Sequence, residues 1–119
     1  MLKVDIQSAP PVVTLACSGR LVLGVEVESL RGIATARPER HLRLDLSRVH
    51  GIDAAGLGLL VELNQWAQQR TARLSITNPS SETYRLITLT RLDRVLHLSG
   101  VPMEAAARGQ SAEWQGMTA

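Results

Sequence analysis

Three residues that carry acid and base groups lie close together in the sequence. Asp45, His50 and Asp53 share one short segment, and a carboxylate beside an imidazole is common in acid–base catalysis. No second carboxylate is spaced to pair with Asp53, and no nucleophile or metal-ligand pattern accompanies these residues. The other histidines, His41 and His97, lie far from His50 in the chain and show no ligand spacing. We therefore expect a protein that is not an enzyme and that holds no metal and no cofactor.

The turn of small residues around Asp53 is the stronger candidate for a functional site. Residues 51–58 read GIDAAGLG, and we call them the Asp53 turn. The Asp53 carboxylate suits the cap of a helix that begins there. Small side chains leave the first helical turn bare, so a partner's backbone or an anion can come close. The same residues also suit a plain packed helix start, and the turn alone leaves both interpretations open. The small residues are Ala54, Ala55, Gly56 and Gly58.

Five segments have the residue pattern of β-strands. Strict alternation of apolar and polar residues, as in Leu42, Leu44 and Leu46, is typical of a strand that buries one face. The break at Pro10–Pro11 predicts a turn that joins the first two strands as an antiparallel pair. The predicted strands are Leu2–Gln7, Val12–Ser18, His41–Leu46, Arg73–Thr77 and Val95–Leu98.

Three further segments have helical periodicity. In the first, Leu23 begins the stripe of apolar residues that we expect to be buried. In the third, Ser80 or Ser81 can cap the first amides. Trp66, in the second, lies off the main apolar stripe and suits either packing against the third helix or contact with a partner. The predicted helices are Leu23–Ala36, Leu57–Arg70 and Ser80–Thr90.

The order of these elements predicts the fold class. From His41 onward strands and helices alternate, which indicates parallel strands joined by right-handed helical crossovers. If sequential strands stay adjacent in the sheet, all the helices fall on one of its faces. We therefore expect an α/β fold with a mixed, mostly parallel β-sheet, an antiparallel N-terminal edge and helices on one face.

Length and composition limit the function further. The chain has 119 residues, enough for one globular domain; we place it at 1–108 and expect 109–119 to be a flexible tail. The net charge of +2 comes without a Lys/Arg block, which argues against nucleic-acid binding. The one cysteine, Cys17, excludes an internal disulfide. Neither a membrane span nor a signal peptide is evident, so we expect a cytoplasmic protein that does not insert into membranes.

The Asp-x-x-Gly-Leu core of the Asp53 turn is preceded by a strand and followed, further along the chain, by Asn78-Pro79-Ser80. With these features most of the chain, up to about Leu98, resembles the STAS domain, the family of sulfate-transporter and anti-sigma-factor-antagonist domains. This resemblance implies a STAS-like fold and a non-catalytic, protein-binding function. The matching segments are 44–49 (LDLSRV), 52–60 (IDAAGLGLL), 74–80 (LSITNPS) and 86–92 (LITLTRL), with Gly19-Arg20-Leu21 matching the family's glycine after the second strand.

By this resemblance the Asp53 turn is the partner-binding site. In the regulated anti-sigma factor antagonists, a partner kinase phosphorylates a Ser just before the Gly of this turn. Ala55 occupies that position and Ala54 the neighbouring one, so we expect no phosphorylation there. A second departure is Arg91, where the family often has Gly, so the third helix is expected to end differently. The implied partner-binding residues are Asp53, Ala54, Ala55, Gly56, Leu57, Gly58 and Leu60.

The resemblance implies two alternative kinds of protein partner. One is an anti-sigma factor that is a histidine-kinase-like ATPase, which would place the protein in bacterial signalling and transcription regulation. The alternative is the ATPase subunit of an ABC-type lipid transport complex, of which this chain would be the accessory subunit. A homodimer also stays open.

Overall fold

The structure is a computed structural model that describes residues 1–102. The predicted flexible tail, 109–119, and the predicted domain end at 108 lie outside the described residues. In chain order the elements are β1 (Leu2–Ala9), β2 (Val12–Leu21), α1 (Val25–Thr35), β3 (His41–Ile52), α2 (Ala54–Gln69), β4 (Arg73–Thr77), α3 (Ser81–Leu89), a 3₁₀ turn (Leu92–Arg94) and β5 (Leu98–Ser99).

The strands form one mixed sheet in the order β1-β2-β3-β4-β5. β1 pairs antiparallel with β2 across the Pro10–Pro11 turn, as the sequence predicts. The other neighbouring strands are parallel, because each is joined to the next by a helix or helical connection. Crossovers of this kind are right-handed in nearly all known structures, and each one here runs to the adjacent strand, an arrangement that places the helices on one face of the sheet. The predicted fold class is confirmed.

Alternation along the strands gives the sheet one apolar and one polar face. The apolar face packs under the helices, whereas residues such as Arg43 and Asp45 project from the opposite face. The strand residues that form the core are Val13, Leu15, Cys17, Leu42, Leu44, Leu46, Leu74 and Ile76, each no more than 2% exposed. Because aligned positions in neighbouring strands share a face, the register of the sheet follows from burying this set.

The helices agree with the sequence except at the starts of α1 and α2. The second helix was predicted to begin at Leu57, but α2 begins at Ala54, directly after its cap Asp53. Gly24 has a positive φ of 118°, which ends the loop and places the first helical residue at Val25. Leu23 therefore lies outside the helix and is 75% exposed, so the prediction that it begins the buried stripe is wrong. Val27, Leu30 and Ala34 do form that stripe. None of the helices within residues 1–102 is long and apolar enough to cross a membrane.

The region after β4 departs from the prediction at two points. Ser80 caps α3 by accepting a hydrogen bond from the N–H of Thr83, as expected. Arg91 adopts the left-handed conformation, with a φ of 60°, so the helix end keeps a backbone shape that glycine usually supplies. The predicted strand Val95–Leu98 is wrong in its bounds, because Val95 still caps the 3₁₀ turn and the strand begins only at Leu98.

Candidate functional site

The Asp53 carboxylate joins two loops at the carboxyl ends of β2 and β3. Its Oδ1 accepts a hydrogen bond from the N–H of Gly56 at 2.9 Å, which is the helix cap predicted for α2. Its Oδ2 accepts a hydrogen bond from the backbone N–H of Leu23 at 3.0 Å, which the sequence did not predict. One side chain therefore starts α2 and holds the β2–α1 connection beside it.

The same two bonds determine the protonation of Asp53. Amide donors favour the charged carboxylate over the neutral acid. The N–H groups of Leu23 and then Gly56 hold the pKa of Asp53 below its ordinary value. Asp53 is therefore ionised at neutral pH, and its negative charge lies at the positive end of the α2 dipole.

Two glycines in α2 differ sharply in what surrounds them. A Cβ on Gly56 would collide with the carbonyl oxygen of Leu21 and lie 2.7 Å from Cγ1 of Ile52. Packing of α2 against the end of β2 therefore requires glycine at this position. A Cβ on Gly58 would meet no atom within 4 Å. Packing among the described residues does not explain that glycine, although glycine weakens a helix relative to alanine.

Two large aliphatic side chains beside the Asp53 turn point into solvent. Leu23 is 75% exposed and Val25 is 80% exposed, on either side of Gly24. Ala54 and Gly58 are exposed on the neighbouring start of α2. We call Leu23, Val25, Ala54 and Gly58 the docking face. A surface of aliphatic side chains and bare helix backbone, held in place by an ionised cap, is suited to contact with a protein and carries no reacting group.

The structure separates the predicted site residues into a surface and its support. Asp53 and Ala55 are half-buried and Ala54 and Gly58 are exposed, whereas the remaining three are buried: Gly56, Leu57 and Leu60. These three support the turn from beneath and do not reach its surface. Leu23 and Val25 were not predicted as site residues, and the available signal was Gly24, a glycine between two aliphatic residues at the helix start.

An ion-pair network joins α1 to α2 beside the docking face. Nε and Nη2 of Arg31 donate to the Glu62 carboxylate at 2.7 and 3.0 Å, and Nη1 pairs with Glu28. The hydrogen bonds from Arg31 lower the pKa of Glu62. Because the Glu62 side chain is half exposed, solvent screens these pairs and they add little stability. They leave this flank of the docking face with one net negative charge.

The structure does not bring Asp45, His50 and Asp53 into one site. The Asp45 carboxylate accepts from the backbone N–H of Ser47 at 3.0 Å on the polar face of the sheet, whereas Asp53 binds its own loops. His50 is exposed. His41 Nε2 does lie 2.9 Å from Ser75 Oγ. Burial, and then the charges of Arg43 and Arg73, lower the pKa of His41. No carboxylate within the described residues orients this histidine as a catalytic triad requires.

Trp66 packs within the domain. Its ring is half-buried against the core, and the Arg70 guanidinium lies 4.7 Å from the ring centroid. Arg70 in turn donates to the carbonyl oxygens of Arg37 and Pro38. These contacts are with the α1–β3 connection, so the indole serves to fix that connection on α2.

A family model described as "Mlab, STAS domain" matches residues 2–100. The chain belongs to the STAS domain family. This STAS domain also shares its fold with several solved structures. One is a candidate anti-sigma factor antagonist from Thermotoga maritima, with a TM-score of 0.75, 20% identity, and 88% of this chain and 92% of that chain covered.

Two other solved structures with the same fold carry different names. The anti-sigma factor antagonist SpoIIAA, in its unphosphorylated form, has a TM-score of 0.69 and 18% identity over 91% of this chain and 95% of that chain. A sulfate transporter family protein from Wolinella succinogenes has a TM-score of 0.68 and 20% identity, covering 86% of this chain and 87% of that chain. At these identities the likeness concerns the fold alone.

Proposed function

We propose that this STAS domain is a non-catalytic protein-binding module that binds its partner through the docking face. The observation that carries the proposal is the exposure of Leu23 and Val25 next to the first turn of α2, with Asp53 holding the two loops together. Exposed aliphatic residues on a preorganised loop form good binding anchors, because little ordering entropy is lost when they are buried.

The Asp53 turn carries no hydroxyl group that could act as a phosphorylation switch. Ala54 and Ala55 occupy the two positions before Gly56. A phosphate there would add a charge of about −1.5 to −2 beside the Asp53 carboxylate and change affinity strongly. Without it, we propose that binding is constitutive and that partner abundance controls it.

The first proposed partner is an anti-sigma factor of the histidine-kinase-like ATPase type, with the domain acting in the cytoplasm in signalling and transcription regulation. Two observations support it. Structures named as anti-sigma factor antagonists share the fold over nearly their whole length. The docking face also lies at the helix start that the family resemblance implies as the partner-binding site.

The second proposed partner is the ATPase subunit of an ABC-type lipid transport complex, with this chain as an accessory subunit. The absence of hydroxyls at Ala54 and Ala55 favours it, because a permanent subunit needs no phosphorylation switch. The two proposals use the same docking face and differ in the identity of the partner.

Affinity capture from the native host, read by mass spectrometry, tests both proposals. The tagged chain is compared with Leu23→Ser and Gly58→Arg, which alter the docking face at positions with no packing role. Gly32→Arg is the matched control, because Gly32 is also an exposed helical glycine with no atom within 4 Å of its Cβ position. We expect the chain and the control to recover the same ATPase, and the two variants to lose it by about tenfold or more.

The identity of the captured ATPase decides between the two partners. A histidine-kinase-like protein supports the first and a transporter subunit the second. Capture that is equally strong with both docking-face variants, each shown to be folded by circular dichroism, would refute the docking face itself.

A further inference from the structure

Among the described residues, the outer side of β1 is an open edge of the sheet. β1 is the first strand of the sheet, and no strand within residues 1–102 pairs with its outer side. Along an antiparallel edge strand, residues alternate between bonding to the neighbour and facing outward. The Arg20 N–H donates to the Met1 carbonyl at 2.9 Å, and the register with β2 is continuous. Odd-numbered residues therefore bond to β2, and the N–H and C=O groups of Leu2, Val4 and Ile6 face outward.

The residues of β1 are complementary to a second, antiparallel copy of the same strand. With Val4 opposite Val4, Leu2 faces Ile6 and Lys3 faces Asp5. The outward groups of residues 2, 4 and 6 then make about six hydrogen bonds between the copies. Both Lys3–Asp5 pairs fall at positions without backbone bonds, where facing side chains come closest and opposite charges attract.

Charge disfavours the neighbouring registers. A shift of two residues in one direction places Lys3 opposite Lys3, and a shift in the other places Asp5 opposite Asp5. Like charges directly opposite each other destabilise a strand pair. Charged residues on an edge strand commonly prevent pairing with another chain. Here the charges of Lys3 and Asp5 repel in both shifted registers and attract only in the register centred on Val4.

We propose that β1 is a dimerisation edge whose partner is a second copy of this chain, in the antiparallel register centred on Val4. Ile6 is 48% exposed, and Leu2 and Val4 on the same side of the strand are half-buried. The dimer brings these two aliphatic rows together, Leu2 against Ile6 and Val4 against Val4. It also removes the open edge by joining two sheets into one.

Both ends of β1 are held in place before any dimer forms. The Met1 amine pairs with Glu26 at 3.0 Å. At the other end, Ser8 Oγ donates to Glu39 at 2.8 Å, and the side chain of Arg37 pairs with Glu39. The edge is thus presented in a defined shape, which lowers the ordering cost of pairing. The contact is nevertheless small, so we expect weak, reversible association with a Kd of about 10–100 μM.

Sedimentation of the full chain over about 10 μM to 1 mM tests the register by charge reversal. Lys3→Glu and Asp5→Lys each turn two attractive pairs into repulsive ones and should raise Kd about tenfold. The double variant carrying both changes restores opposite charges and should return Kd to within about threefold of the original. Both residues are exposed, so folding should not change. A monomer throughout this range, or a dimer whose Kd ignores both single variants, would overturn the proposal.

A cross-linking experiment tests the same register independently of affinity. Lys3→Cys and Asp5→Cys chains are mixed and oxidised; the native Cys17 is buried and does not compete. Facing positions 3 and 5 lie within disulfide reach, whereas position 3 does not face position 3, nor 5 position 5. We expect a covalent dimer in the mixture and little in either variant alone. Equal cross-linking in the separate variants would refute the Val4-centred register.

Discussion

Gly56 and Gly58 allow one substitution to be tested in opposite directions within a single helix. Replacing glycine by alanine in a helix gains up to about 1 kcal/mol from propensity alone. At Gly58 nothing opposes that gain, because the new Cβ meets no atom within 4 Å. We therefore expect Gly58→Ala to raise the free energy of unfolding by about 0.5–1 kcal/mol.

At Gly56 the same methyl group must displace backbone. Its Cβ would collide with the Leu21 carbonyl oxygen and come within 2.7 Å of Ile52 Cγ1, and overpacking of this kind costs about 1–3 kcal/mol or more. The carbonyl cannot move aside as a flexible side chain can, so the upper part of that range applies. Less the propensity gain, Gly56→Ala should lose about 2 kcal/mol, which separates the two variants by about 3 kcal/mol.

Urea denaturation at pH 7, followed by far-ultraviolet circular dichroism, measures this difference. The slope of unfolding free energy against urea should be unchanged, since neither variant alters the surface exposed on unfolding. In thermal unfolding each kcal/mol corresponds to about 4–8 °C for a domain of this size. A Gly56→Ala variant as stable as the original chain, or a Gly58→Ala variant that is clearly destabilised, would refute the packing difference between the two glycines.

Two further predictions concern titratable groups. Asn at position 53 can still cap Gly56 but has one acceptor oxygen, so Asp53→Asn should lose the bond to Leu23 and weaken capture of the partner. Because the folded-state pKa of Asp53 is lowered, its stabilisation is present above the unfolded-state pKa and is lost as pH falls through the folded one. Unfolding curves from pH 6 to pH 2 should therefore show the stability difference between Asp53→Asn and the original chain shrinking with acid, and a constant difference would contradict this account. Burial, and then the charge of Asp45, raises the pKa of Cys17 to about 12, so iodoacetamide at pH 8 should alkylate it only in urea, as mass spectrometry can check; rapid labelling of the native chain would argue against its burial.

The sequence predicted the sheet well where alternation is strict and poorly where it is interrupted. β3 was expected to end at Leu46 but continues to Ile52. Its pairing with β2 shifts register between Ala16 and Ser18, and Ser47 and Arg48 are both exposed. Two consecutive exposed residues disrupt the period of two on which the prediction relied, which is the effect of a β-bulge.

The sequence predicted the helix cap of the candidate site but not its exposed aliphatic residues, Leu23 and Val25. Asp53 and Gly56 are recognisable from sequence because capping and close packing act on neighbours in the chain. The bond from Leu23 to Asp53 spans thirty residues, and no local pattern reveals it. Helical spacing assigned Leu23 to the core, since periodicity cannot register that Gly24 adopts a positive φ. The exposure of Leu23 and Val25 depends on how the two loops lie together in the fold, which no local sequence pattern contains.

Asp53 holds the β2–α1 loop by a backbone amide and makes no demand on the side chain at position 23. The backbone of Leu23 therefore attaches the loop to Asp53, and its exposed side chain is available for contact with a partner. Residues 23 and 25 can be exchanged during evolution without altering the cap, the helix start or the core beneath them. Related domains with the same Asp and Gly could thus acquire different partners by substitution at these two positions. Paralogues within one genome could then bind different partners while keeping the same helix cap and core.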